Sequence, residues 1–243
     1  MTRKSRFKAS GSNDAWFAGA CLVGLIVWGL ASHADAQEAD VAFNVAASTD
    51  YVFRGVSQTE EDPAISAGID LTSGAFYAGA WASNVSFPGD DDTNAEFDLY
   101  GGWRGEVAGW ALDVGGVAYL YANQPGGADY DYVEAKVAAS RAVGPTTIGA
   151  AVLWSPDFFG ASEDEATYVE ANAAFTPANR WTVSGAVGRQ FVSSDFDYTT
   201  WNLGAAYQLT DNLIVDVRYH DTDEHDFGDI YGSRGVATLK AVF

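Results

Sequence analysis

From residue 41 to residue 243, apolar and polar side chains alternate with a period of two. In the first segment Val41, Phe43, Val45, Ala47, Thr49, Tyr51 and Phe53 share one face. Ala42, Asn44, Ala46, Ser48, Asp50 and Arg54 share the other. A strand sends successive side chains to opposite sides, so this spacing predicts a strand with one apolar face, whereas a helix would scatter both sets around its circumference. The pattern returns in Ile65 to Leu71, Phe97 to Trp103, Trp110 to Leu120, Val133 to Ala139, and Ile148 to Trp154. It continues in Val169 to Phe175, Trp181 to Val187, Trp201 to Leu209, Leu213 to Tyr219, and Ala237 to Phe243. Residues 75–87 are apolar or small on both faces and leave the register open, but they complete a set of twelve predicted strands. Charges within the strands avoid the apolar faces. Asp50, Arg54, Asp70, Glu96, Asp98, Arg104, Asp113, Glu134, Lys136, Glu170, Asp216, Arg218 and Lys240 all fall opposite.

The connections sort into two kinds that alternate along the chain. Short ones rich in turn formers (Ser73-Gly74, residues 105–109, Gly144-Pro145, residues 177–180 and 210–212) read as tight hairpins. The others are longer and acidic: Glu60-Glu61-Asp62, Asp90-Asp91-Asp92, and residues 122–129, 155–165, 193–197 and 221–234. A soluble sandwich also gives alternating strands, but it has no reason to sort its loops this way. An outer-membrane barrel does, with short periplasmic turns, longer outer loops and an even strand count.

Aromatic residues support the same reading. Phe43, Trp103, Trp110, Phe175, Trp181, Tyr207 and Phe243 lie beside the short turns, while Tyr51, Phe53, Phe97, Trp154, Tyr198, Trp201 and Tyr219 lie toward the long loops. Two such girdles suit rings that favour apolar contact at one end and water at the other. Within hydrocarbon every unpaired edge group costs several kcal/mol, so the sheet must close. The expected fold is therefore all-β, a closed antiparallel transmembrane barrel of twelve strands over residues 37–243.

The N-terminal segment is of another kind. Arg3, Lys4, Arg6 and Lys8 precede an apolar run, residues 16–30, and Ala34-Asp35-Ala36 follows it. This is the order of a secretory signal peptide, with cleavage expected after Ala36. The run is short for a membrane-spanning helix. Cys21, the one cysteine, stands early in that run, where a lipoprotein cysteine would follow it. The remainder then has no thiol for a disulfide or a metal site.

Removing residues 1–36 leaves nine basic and 31 acidic residues, a net charge of −22. Nucleic acid is excluded as a partner on that balance, because phosphate contacts need Lys and Arg. Outer-membrane lipids are the expected surroundings.

Residues 50–59, Asp-Tyr-Val-Phe-Arg-Gly-Val-Ser-Gln-Thr, resemble the opening motif of the TorF-type porin family of bacterial outer-membrane proteins. Residues 115–126 and Ser155-Pro156-Asp157-Phe158 are similar to it as well. The resemblance spans most of the exported chain. It implies an outer-membrane barrel and pore activity, but no substrate and no functional residues. The outer-membrane barrel class also implies barrel insertion machinery as a partner during assembly, with the terminal aromatic strand ending at Phe243 as the expected recognition element.

Eight-stranded barrels fill their interiors and barrels of sixteen to eighteen strands hold aqueous channels, so twelve strands alone do not decide. Many inward positions are small, including Ala42, Ala46, Gly68, Gly115, Gly204 and Ala206, which favours a narrow water-filled pore. The alternative is a lumen plugged by an inward-folded loop or by paired charges. The charges named above are candidates to line the lumen. Their acid surplus and the acidic loops predict a preference for small cationic or neutral solutes. A non-conducting structural or adhesive barrel is the second function class.

A hydrolase is the third. It would need a His base, and beyond residue 36 only His220 and His225 exist, beside Asp221, Asp223 and Asp226. Neither G-x-S-x-G nor H-E-x-x-H occurs, so the expectation is no enzyme. The acidic loops offer oxygen ligands for Ca²⁺ or Mg²⁺ but lack EF-hand spacing, so no metal or cofactor is expected.

Overall fold

A computed structural model describes residues 39–160, 165–193 and 195–243. The expected signal peptide, residues 1–36, lies outside the described residues. Twelve strands form one closed antiparallel barrel: β1 (Asp40–Ser48), β4 (Ala64–Ser73), β5 (Phe76–Asn84), β6 (Ala95–Val107), β7 (Trp110–Ala122), β8 (Tyr132–Val143), β9 (Thr146–Ser155), β10 (Ala166–Ala178), β11 (Trp181–Phe191), β12 (Tyr198–Gln208), β13 (Leu213–Thr222) and β14 (Arg234–Val242). Each strand pairs with its sequence neighbour, and β1 closes the ring against β14 through pairs such as Val45 with Ala241. Two further strands, β2 (Val52–Phe53) and β3 (Val56–Ser57), form a separate small hairpin between β1 and β4.

The tight turns carry the backbone that strand twist demands. Ala108 and Gly109 both have positive φ, as a two-residue type I′ hairpin requires, and Gly144 takes the positive φ of a first central position. Along the strands exposure alternates as the sequence pattern predicts. Val133, Val137, Ile148, Val152, Leu203, Val217 and Leu239 face outward, and Trp103, Trp110, Phe175 and Trp181 stand near the short turns. The ambiguous segment resolves with Tyr77, Gly79, Trp81 and Ser83 on the inner side, where Ser83 is buried and Tyr77 reaches Asp113.

The outward band is the surface that meets lipid. Leu203 sits at the middle of β12 and is 62% exposed. Leu203→Arg is expected to destabilise the barrel by about 2–4 kcal/mol, the cost of a basic side chain at the bilayer midplane. Urea unfolding in lipid vesicles measures this, and an unchanged midpoint would remove the band from hydrocarbon.

Three expectations change. The first strand ends at Ser48 and does not run on to residue 54. Tyr51 and Phe53 consequently leave the outer girdle for the interior, where Tyr51 is buried and Phe53 packs edge-on against Tyr119. Tyr198 also turns inward, against Tyr231. Finally, the outward face carries a charge at its outer rim. Arg189 donates to Thr199 Oγ1 at 2.9 Å and lies 3.8 Å from both Asp197 and Asp223. At that height a long basic side chain keeps its head in the wet interface.

Candidate functional site: a hairpin across the lumen

Beyond Ser48 the chain turns into the barrel. Thr49 still bonds the wall, its N–H donating to the Ala237 carbonyl at 3.0 Å. Asp50 then fixes the root of the hairpin. Its carboxylate accepts from Ser57 Oγ at 2.7 Å, Thr59 Oγ1 at 2.9 Å and Arg234 Nη1 on β14 at 3.2 Å. Four residues on, Arg54 (φ 48°) and Gly55 (φ 86°) make a two-residue turn with both φ values positive. Glycine suits such a position at no steric cost, but arginine does not. The strain places a guanidinium at the tip.

That tip reaches the far wall. Arg54 Nη2 donates to Glu134 Oε2 on β8 at 2.6 Å, and Nη1 donates to Gln190 Oε1 on β11 at 2.8 Å. Its guanidinium carbon stands 4.4 Å from the centre of the Tyr168 ring on β10. A Cβ on Gly55 would collide with Thr200 of β12 and Thr222 of β13. Since the root stands between β1 and β4, these contacts with β8 and β10 to β13 mean that the hairpin crosses the lumen. Its flank packs on an aromatic cluster formed by Tyr51, Phe53, Trp81, Tyr119, Tyr121 and Tyr132. The returning leg bonds the loop after β5, with Ser86 N–H donating to the Gln58 carbonyl at 2.8 Å.

The candidate lumen residues divide between wall and hairpin. Asp50 and Arg54 belong to the hairpin, and the other eleven stand on barrel strands. On the periplasmic side, Asp113 accepts from Arg104 at 3.2 Å, Lys136 at 3.0 Å and Tyr77 at 2.7 Å. Across the lumen Arg218 grips Asp216, Asn202 and Ser184. Asp70 accepts from Tyr100 at 2.7 Å. Toward the outer side, Glu170 accepts from Tyr168 and Asn172, and Glu134 accepts from Tyr119 as well as Arg54. Glu96 accepts from Tyr51 at 3.1 Å. Asp98 beside it is fully buried, and neither of its carboxylate oxygens accepts a hydrogen bond among the described residues.

The inward glycines are occupied ground. A Cβ at Gly79 would collide with the Tyr100 ring, one at Gly188 with Tyr168, and one at Gly204 with Arg218. Small wall positions therefore act as seats on which long polar side chains lie flat. This keeps those side chains along the wall instead of projecting into the centre. The sequence pattern of small residues suggested empty space, and it could not show what lies upon them.

Arg234 and Gln190 were not among the candidates, yet Gln190 is buried on the inner side and the Arg234 side chain is nearly covered there; His220, the candidate base, is buried on that side too. Arg234 was hidden at the end of what reads as an acidic loop. In that loop His225 Nε2 lies 2.8 Å from Asp221, which Tyr219 also engages at 2.7 Å. His220 neighbours Asn202 and Arg234 on the inner side of the sheet, so the two histidines do not meet. Asp90 caps its own turn. The Thr93 hydroxyl and the backbone N–H groups of Asp92 and Thr93 donate to it, and Thr93 foremost holds its carboxyl below the usual carboxylate range. Among the described residues no group of three His, Cys, Asp or Glu side chains is arranged to hold a metal ion.

The barrel is similar to solved porins. A KdgM porin aligns with a TM-score of 0.60 over 83% of this chain and 99% of that one, at 8% identity. A KdgM porin in complex with disordered oligogalacturonate gives 0.61 over 83% and 99%, again at 8% identity. A NanC porin gives 0.56 over 82% and 98%, at 11% identity. These likenesses are ones of fold, and with the closed barrel they place the chain in the bacterial outer membrane. No curated protein sequence matches it. A family model described as "Bacterial protein of unknown function (Gcw_chp)" matches residues 33–242.

Proposed function

We propose that this chain, which belongs to the Gcw_chp family of bacterial proteins, is a narrow porin-like channel for small solutes, with cationic or neutral ones preferred. The observation that carries the reading is a closed barrel whose polar side chains lie flat on glycine seats while one hairpin narrows the centre. A barrel built only as a scaffold would gain from an apolar, fully packed interior, because each buried polar group must otherwise find partners. Here the interior is lined with ion pairs and hydroxyls. The resemblance of residues 50–59 to TorF-type porins supports the same reading, and those residues form the hairpin itself. Outer-membrane lipids around the apolar band, and insertion machinery during assembly, belong to the proposal too.

The cationic preference rests on charge balance. Ion pairs engage Asp50, Asp113, Glu134 and Asp216, while Asp70, Glu96, Asp98 and Glu170 take part in no salt bridge among the described residues. Acids in excess on a low-dielectric wall lower the free energy of cations within it. In a salt gradient across a planar bilayer, the reversal potential of the reconstituted protein is expected to carry the sign of cation selectivity. A clear anion preference would overturn the charge argument and leave the pore standing.

A sealed structural barrel is the second reading, and the hairpin's contact with the far wall favours it. Steady absence of current from protein that is heat-modifiable on a gel, and so folded, would select it. No enzymatic step is assigned.

A further inference from the structure

Glu96 and Asp98 stand two positions apart on the inner face of β6, 1% and 0% exposed. Their carboxyl groups lie within hydrogen-bonding reach of each other. Among the described residues, Glu96 Oε2 and both oxygens of Asp98 find no hydrogen-bond donor. Two carboxylates face each other here, each able only to accept, and neither forms a salt bridge among the described residues. On β5 the paired residues are Ser83 and Trp81, and neither titrates. On β7 they are Tyr121, whose hydroxyl is also within hydrogen-bonding reach of Glu96, and Tyr119. From β8 come Tyr132, stacked on Tyr119, and Glu134, which is already held by Arg54. The hairpin brings Tyr51 onto Glu96 and Asp50, which is already held by Arg234. Burying one unpaired carboxylate is expensive, and burying two in contact is prohibitive.

We propose that Glu96 and Asp98 share one proton in the closed state, and that this pair is the proton-operated seat of the lumen hairpin. One carboxyl then donates to the other, which engages one orphaned oxygen of each. The hairpin covers the pair directly, through the Tyr51 hydroxyl on Glu96 and the Tyr51 ring against Trp81 at 5.2 Å. Loss of the proton to bulk water leaves a second negative charge that only hydration can relieve, and hydration requires the hairpin to lift. The closed state therefore binds more protons than the open one, so raising the pH shifts the population toward open. As a gate, the device rests on the channel reading above.

Two measurements on the full barrel in lipid test it. Infrared spectra of the wild type should contain a protonated-carboxyl band at neutral pH that disappears on alkalinisation and is absent from Asp98→Asn. Single-channel open probability of the wild type should rise with pH. Asp98→Asn should lose that rise, because its amide donates to Glu96 at every pH; Glu96→Gln should behave alike if the first variant folds poorly. Absence of the band overturns the shared proton. A band accompanied by the same pH profile in wild type and variant overturns the seat. Silence at every pH, in wild type and hairpin-deleted barrel alike, removes the channel reading, and the band alone then decides the proton pair.

Discussion

Replacing residues 50–61 by a short glycine–serine connection is expected to raise the single-channel conductance of the reconstituted barrel severalfold. The hairpin enters between β1 and β4 and touches β8, β11, β12 and β13, so it stands across the current path along its whole length. The wall it leaves behind is not apolar. Glu134, Gln190, Glu96 and Thr200 would meet water in place of Arg54, Tyr51 and Gly55, and such groups are well solvated. Barrel closure does not depend on the hairpin, because β1 pairs directly with both β4 and β14. The variant should keep its heat-modifiable migration on a gel while its conductance rises. Unchanged conductance in a folded variant would place the narrowest point elsewhere in the lumen.

The second large effect is expected at Glu134. The Arg54–Glu134 pair is 2.6 Å long, with side chains only 4% and 1% exposed. A buried pair of this kind is weak evidence of net stabilisation, but removing one partner leaves a charge without its counterion, at about 3–5 kcal/mol. Glu134→Ala thus strands the guanidinium between Gln190 and Tyr168. The barrel is too extensively paired to unfold for that sum, whereas the hairpin can leave. The closed-to-open ratio should fall by about two to four orders of magnitude, the equivalent of that free energy. Recordings would show frequent long openings where the wild type is mostly narrowed. Glu134→Gln keeps a hydrogen-bond acceptor for Arg54 and should fall between the two. If all three proteins gate alike, Arg54 is not the latch.

The barrel could be read from the chain because two independent signals agree. Period-two alternation names the strands, and the strict sorting of short turns from long acidic loops names the side of the membrane on which each connection lies. The hairpin could not be read, and the reason lies in the same periodicity. Val52 and Phe53 alternate as correctly in a two-residue strand as they would in a continuation of β1, so the pattern says strand without saying which sheet. What separates the two is Asp50, whose partners lie seven, nine and 184 residues away. Local sequence carries no trace of the most distant one. The pairing of glycines with the tyrosines and arginines above them is invisible for the same reason, because Gly79 and Tyr100 come together only through the β5–β6 register. Gly55 was the available signal, since a glycine interrupting an alternating run marks a bulge, a turn or a close backbone approach.

The seam between β1 and β14 also sets an order of assembly. It joins the first and last strands of the chain, and loop-closure entropy makes such a contact a late one. Arg234, the cation at the hairpin's root, arrives on the strand that completes the ring, so Asp50 has no counterion until then. A nascent, unsealed sheet therefore carries a hairpin whose root still lacks its cation. The root of the constriction is expected to be completed only once the wall is, because its cation arrives with the sealing strand.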